Sequence, residues 1–171
     1  LQPCIMFASY VFLHAGPTHF LINMLTLSSL APPVTERLGR LRSLAVYFAA
    51  TVGGALGYAV LSRYAAPMVG ASGALFGLAG ALLAWDYSER RHRRQTLKPV
   101  VRAVGLLILL NLVLWWAMHG LLAWQTHLGG TLAGIGMALQ PKGVKIGLAD
   151  PEGAALHAWY TTGQLDAPGT S

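Results

Sequence analysis

Five apolar runs separated by short polar or basic connectors constrain this chain more than any other feature: residues 20–31, 44–61, 72–85, 100–118 and 127–139. A bilayer core about 30 Å thick needs about 20 helical residues to cross it. The second and fourth runs meet that length, and the other three are shorter. A soluble bundle of buried helices is the competing possibility, but residues 106–116 carry no charge and offer no polar stripe to water. Only 11% of the 171 residues are charged, against about 25% in a typical soluble domain. So few charges cannot cover a water-facing surface. The expected fold is therefore all-α, a polytopic membrane helical bundle with five transmembrane segments. Residues 1–141 form the membrane core and residues 142–171 a C-terminal cytoplasmic tail.

The formal charge of +6 raises the question of nucleic acid. The basic residues lie between apolar runs, as topology determinants do, and form no face interleaved with aromatics, which argues against that partner. If the helices alternate, one side holds Arg37, Arg40, Arg42, Arg90, Arg91, Arg93, Arg94, Lys98, Arg102, Lys142 and Lys145. That leaves only Arg63, of the 12 basic residues, on the other. The positive-inside rule makes the first side cytoplasmic. The first, third and fifth segments then begin on the non-cytoplasmic side.

Cys4 is the one cysteine, so no internal disulfide or Cys-based zinc site can form. The chain begins with Leu1 and has no basic stretch followed by a short apolar core, so no signal peptide is expected and a fragment is. In the tail, residues 144–148 and 154–160 flank Asp150-Pro151-Glu152-Gly153, which reads equally as a small hairpin or as a disordered tail.

Polar groups inside spanning segments are costly, and each invites a functional reading. His14, His19 and Asn23 sit at the outer end of the first segment, Ser72 opens the third and His127 opens the fifth. Each alone has a bland explanation. An intramembrane serine usually bonds back to a carbonyl one turn earlier, and a histidine at a helix end, like His92 or His119, is commonly a packing or interfacial residue. Together, three helices bring these groups to one side and one depth. Ser72 is followed by Gly73 and Gly77, and His127 by Gly130 and Gly134, two small-xxx-small faces that let backbones approach closely in lipid. Packed through those glycines, Ser72 and His127 come near hydrogen-bonding reach, as a base-activated serine requires. None of the six acids (Glu36, Asp86, Glu89, Asp150, Glu152, Asp166) is placed to complete a triad. A dyad is expected, with the imidazole held by packing, Phe76 stacking on it from one turn after Ser72.

These residues resemble the rhomboid family of intramembrane serine proteases. Gly70-Ala71-Ser72-Gly73 resembles the family's GxSG nucleophile motif, continued by Ala74-Leu75-Phe76-Gly77. His14, His19 and Asn23 match HxxxxHxxxN of its second core helix, and His127, Gly130 and Gly134 match HxxGxxxG of its last. The resemblance covers residues 10–141. The family's first core helix has no counterpart, and Thr35 stands where an acidic residue is usual, with Glu36 beside it.

The resemblance implies a serine endopeptidase without cofactor or metal, cutting peptide bonds in or near transmembrane segments of membrane proteins. Ser72 is the expected nucleophile and His127 its base. The Ser72 N–H with His19 and Asn23 is expected to stabilise the oxyanion, and His14, Gly70 and Phe76 to support the site. The expected setting is a bacterial plasma membrane, the active site toward the non-cytoplasmic side. An inactive rhomboid-like protein that binds transmembrane clients is the first alternative. A metal or proton transporter using His14, His19 and His127 is the second.

Overall fold

The computed structural model describes residues 7, 9–62, 68–117 and 122–140. A 3₁₀ turn at Tyr10–Phe12 precedes five helices: α1 (Pro17–Leu38), α2 (Arg40–Leu61), α3 (Ser72–His92), α4 (Lys98–Ala117) and α5 (Trp124–Leu139). No strand occurs among the described residues. Residues Leu1–Gln140 form one compact unit. Cys4, Arg63, His119 and the whole of 142–171, with its expected hairpin or tail, lie outside the described residues.

Local chemistry sets the helix ends. Pro17 opens α1, where its missing N–H has no intrahelical acceptor to lose. Gly39, at φ +80°, ends α1 and starts α2 at once. Its N–H donates to the Thr35 carbonyl at 2.9 Å, and its own carbonyl accepts from the Ser43 N–H at 3.0 Å and from Ser43 Oγ at 2.7 Å. The expected connector 36–42 is therefore almost wholly helical.

The third helix also departs from expectation. Its apolar run ends at Trp85, which implied a helix of about 13 residues and about 20 Å. The helix instead has 21 residues and runs to His92. Asp86 pairs with Arg90 at 2.8 Å and Glu89 with Arg93, both one turn apart. Such i,i+4 pairs each add about 0.2–0.5 kcal/mol to a helix. Arg37 of α1 also lies over the Trp85 ring, 4.9 Å from its centroid. Charged residues thus carry the helix through what had read as a connector.

Side chains are distributed the opposite way from a soluble protein. The fully buried positions hold small residues such as Ala50, Ala74 and Ala81, and the largest of them are Val34, Val46 and Thr51. Large apolar side chains point outward along α1, α2, α4 and α5, among them Ile22, Phe48, Val60, Ile108 and Leu132, while α3 runs through the interior. In water such a continuous apolar surface would drive association. In lipid it is solvated, and small residues at the helix contacts supply the close packing that holds the bundle. α2 and α4 are long and apolar enough to cross a bilayer.

α5 is wedged between two glycine faces. On one side a Cβ at Gly53 of α2 would stand 2.5 Å from Ala133 Cβ, and one at Gly57 3.0 Å from Gly129 Cα. On the other side Gly130 lies against the Gly73 carbonyl and Gly134 against the Gly77 carbonyl. A Cβ at Gly80 would likewise stand 2.5 Å from the Thr131 carbonyl oxygen. The α2 face was not anticipated from the sequence. Both faces fix the height and rotation of α5, and therefore of His127. By contrast, α4 buries none of its side chains.

Candidate active site

Ser72 is the first residue of α3 and His127 lies one turn into α5. Ser72 Oγ and His127 Nε2 are 2.9 Å apart. His127 is buried, 3% exposed, and its ring stacks on Phe76 with centroids 4.2 Å apart and planes 10° apart. Phe76 reaches the ring because it sits one helical turn after Ser72 on the same face.

A residue that the sequence analysis did not single out completes this contact. His127 Nδ1 lies 2.7 Å from Asn111 Oδ1 of α4. The Asn111 amide nitrogen donates to the Leu107 carbonyl at 3.2 Å. The expectation that packing alone holds the imidazole is therefore corrected: a side-chain amide also holds it. A signal was available, since Asn111 is the only polar side chain between Arg102 and Ala117, and an amide at mid-membrane is expensive unless bonded.

The segment leading into Ser72 is held from two directions. The Gly70 N–H donates to the Tyr10 carbonyl at 3.0 Å, while Tyr10 Oη donates to the Thr51 carbonyl of α2 at 2.9 Å. Thr126 Oγ1 donates to Met68 Sδ at 2.8 Å, tying the same segment to α5. Gly70 has φ +114°, and a Cβ there would stand 2.6 Å from His19 Cε1 and 2.9 Å from His19 Nε2. Two independent constraints thus call for glycine, the backbone conformation and the space that the imidazole occupies. A Cβ at Gly73 would meet Thr126 Cγ2 at 2.6 Å, so this glycine too is a condition for seating α5.

His19 and Asn23 lie one turn apart on α1 and both approach Gly70. His19 Nδ1 accepts from the Ala15 N–H at 3.3 Å, which leaves Nε2 as the protonated nitrogen facing Gly70. Asn23 is buried, and among the described residues its Nδ2 has no hydrogen-bond partner. Ser72 opens a helix, so its N–H also lacks an intrahelical acceptor. Three donors thus surround the turn before α3, where the helix dipole favours negative charge. His14 stands apart from the Ser72–His127 pair. It packs edge-on to His19 (5.4 Å) and Phe20 (5.1 Å), and its Nε2 is buried without a partner among the described residues. Among the described residues, His14, His19 and His127 do not form a group arranged to hold a metal ion.

A serine hydroxyl bonded to a buried imidazole, with hydrogen-bond donors beside it, is an arrangement able to perform nucleophilic acyl transfer. Sequence comparison points the same way. The chain is 34% identical over 124 residues to Rhomboid protease GluP of Bacillus subtilis, covering 72% of this chain and 23% of that protein. It is 33% identical over 132 residues to Rhomboid-like protease 1 of Toxoplasma gondii, covering 75% of this chain and 44% of the relative. To human Rhomboid-related protein 3 it is 27% identical over 139 residues, covering 75% and 34%. The chain thus spans less than half the length of each of these relatives. No solved structure gives a significant match. The sequence model of the rhomboid domain matches residues 3–140, a stretch that includes Ser72 and His127, and the chain belongs to the rhomboid family.

Proposed function

We propose that this chain is an intramembrane serine endopeptidase that hydrolyses peptide bonds in or near transmembrane segments of membrane proteins. The observation that carries the proposal is the 2.9 Å contact between Ser72 Oγ and His127 Nε2, made between two helices of a lipid-facing bundle. Ser72 Oγ attacks the scissile carbonyl carbon as Nε2 takes its proton. The carbonyl oxygen becomes an oxyanion bonded by the Ser72 N–H, His19 Nε2–H and Asn23 Nδ2–H. As the intermediate collapses, the imidazolium gives its proton to the leaving amine and an acyl-Ser72 ester remains. His127 then takes a proton from water as the water oxygen attacks the ester carbonyl, and it returns that proton to Ser72 Oγ as the acid product leaves. Each oxyanion donor is worth about 100- to 1000-fold in rate.

The test is cleavage of a single-span substrate by the purified chain in liposomes. Cleavage should proceed undiminished in a metal chelator. Substrate bound but uncut would favour the client-binding alternative, and chelator-sensitive cleavage would contradict the serine mechanism.

The split of basic residues supports an orientation with the site toward the non-cytoplasmic side and residues 142–171 in the cytoplasm. In a Cys4→Ala background, His92→Cys should react with an impermeant thiol reagent only after the membrane is opened. Gln125→Cys should react in intact cells. The reverse pattern would place the site on the cytoplasmic face.

A further inference from the structure

We propose that Asn111 is a positioning residue for His127: its Oδ1 fixes the tautomer and the flip of the imidazole so that the unprotonated Nε2 faces Ser72. The inference rests on the protease reading of Ser72 and His127.

The amide can be oriented from its own bonds. The Leu107 carbonyl can only accept, so the Asn111 atom 3.2 Å from it must be the amino group. The oxygen then faces His127 Nδ1 at 2.7 Å. An amide oxygen can only accept, so Nδ1 carries the hydrogen. In a neutral imidazole Nε2 is then bare, and it accepts the Ser72 hydroxyl proton across 2.9 Å. One amide thereby decides which nitrogen is the base.

Packing cannot make that choice. The Phe76 ring stacks flat on His127, and a flat stack looks nearly the same after the imidazole turns over about its Cβ–Cγ bond. That turn exchanges Nε2 for a carbon at the position facing Ser72. Nor does Phe76 distinguish the tautomers, since the wrong one presents an N–H to Ser72 and no base. In serine-protease triads a wrong tautomer costs as much as about 10⁴-fold in rate. A neutral amide is also a cheaper orienting group than a carboxylate here, because a charge at mid-membrane carries a heavy desolvation penalty.

A purely structural role for Asn111 is the competing reading. An asparagine in a membrane helix can satisfy its amino group on the carbonyl four residues back, as Asn111 does. That bond leaves Oδ1 unexplained. Helix anchoring would also explain it, since α4 buries no side chain and its one mid-span polar group meets the imidazole; an anchor acts on stability and an orienting group on kcat, and the two variants below separate them.

The experiment uses the full chain in liposomes, with Asn111→Leu, which removes the acceptor at similar volume, and Asn111→Asp, which keeps an oxygen in the same place. Leu inserts at least as readily as Asn, so rates are taken per inserted molecule. For Asn111→Leu, kcat should fall about 10- to 100-fold, KM should hold within about twofold, and thermal stability should fall only slightly, because the buried His127 Nδ1–H loses its acceptor. Labelling of Ser72 by a fluorescent phosphonate should slow in step with kcat. Asn111→Asp should recover most of the lost kcat. Wild-type kcat and labelling in Asn111→Leu would overturn the inference while leaving the protease reading intact. A loss of kcat that tracks a loss of thermal stability, and that Asp does not rescue, would reduce Asn111 to an anchor. Wild-type protein that neither cleaves nor labels would instead sink the protease reading itself.

Discussion

Alanine at Ser72 or at His127 should lower cleavage of a transmembrane substrate by about 10⁴-fold or more, with the protein still inserted and folded. Ser72→Ala removes one oxygen at the mouth of α3 and no packing atom, so its thermal stability should match wild type. His127→Ala empties a buried site between Phe76 and Asn111, and it should lose stability as well as activity. Because the two groups act as a unit, the double variant should be little slower than either single one. Cleavage rate per inserted molecule is the measurement, and a Ser72→Ala protein that cleaves at the wild-type rate would end the mechanism.

A second large effect is expected far from any reacting atom. A Cβ at Gly134 falls on the Gly77 carbonyl oxygen, well inside van der Waals contact, whereas a Cβ at Gly136 meets nothing within 4 Å. Leu at either position adds the same four carbons to the same helix, raises helix propensity equally and makes insertion no harder. At Gly134, however, α3 and α5 must separate. Ser72 and His127 sit on those two helices, and a displacement of about 1 Å in a catalytic contact can cost about 100-fold. Gly134→Leu should therefore lose about 100-fold in cleavage, while Gly136→Leu stays near wild type. Equal rates for the two variants would mean that the glycine contact does not govern the active-site geometry.

Much of the bundle is legible in the sequence because lipid imposes simple constraints. Uninterrupted apolar length marks α2 and α4. Helix ends were harder, since charge was read as a connector where i,i+4 pairs instead carry α3 to His92. In the candidate site, the groups legible beforehand are those standing at the start of short segments, Ser72 and His127, or repeated at helical spacing, His19 and Asn23. Asn111 is hard to single out in the sequence because its run carries no charge. An almost uniformly apolar helix has no polar stripe to reveal which side faces the protein, so only the folded bundle shows that Asn111 points at His127. The Gly53–Gly57 face of α2 was hidden for a related reason. Glycines are frequent in this chain, 20 of 171 residues, and their partners are set by how three helices meet.

The central claim is that Ser72 is a nucleophile activated by His127, and covalent capture tests it most directly. Purified protein in detergent is treated with a fluorescent serine-directed phosphonate, digested, and mapped by mass spectrometry, beside Ser72→Ala and His127→Ala. The account predicts one adduct, on the peptide containing Ser72, absent from Ser72→Ala and strongly diminished in His127→Ala. An adduct that persists in Ser72→Ala, or native protein that cleaves substrate yet forms none at Ser72, would contradict it.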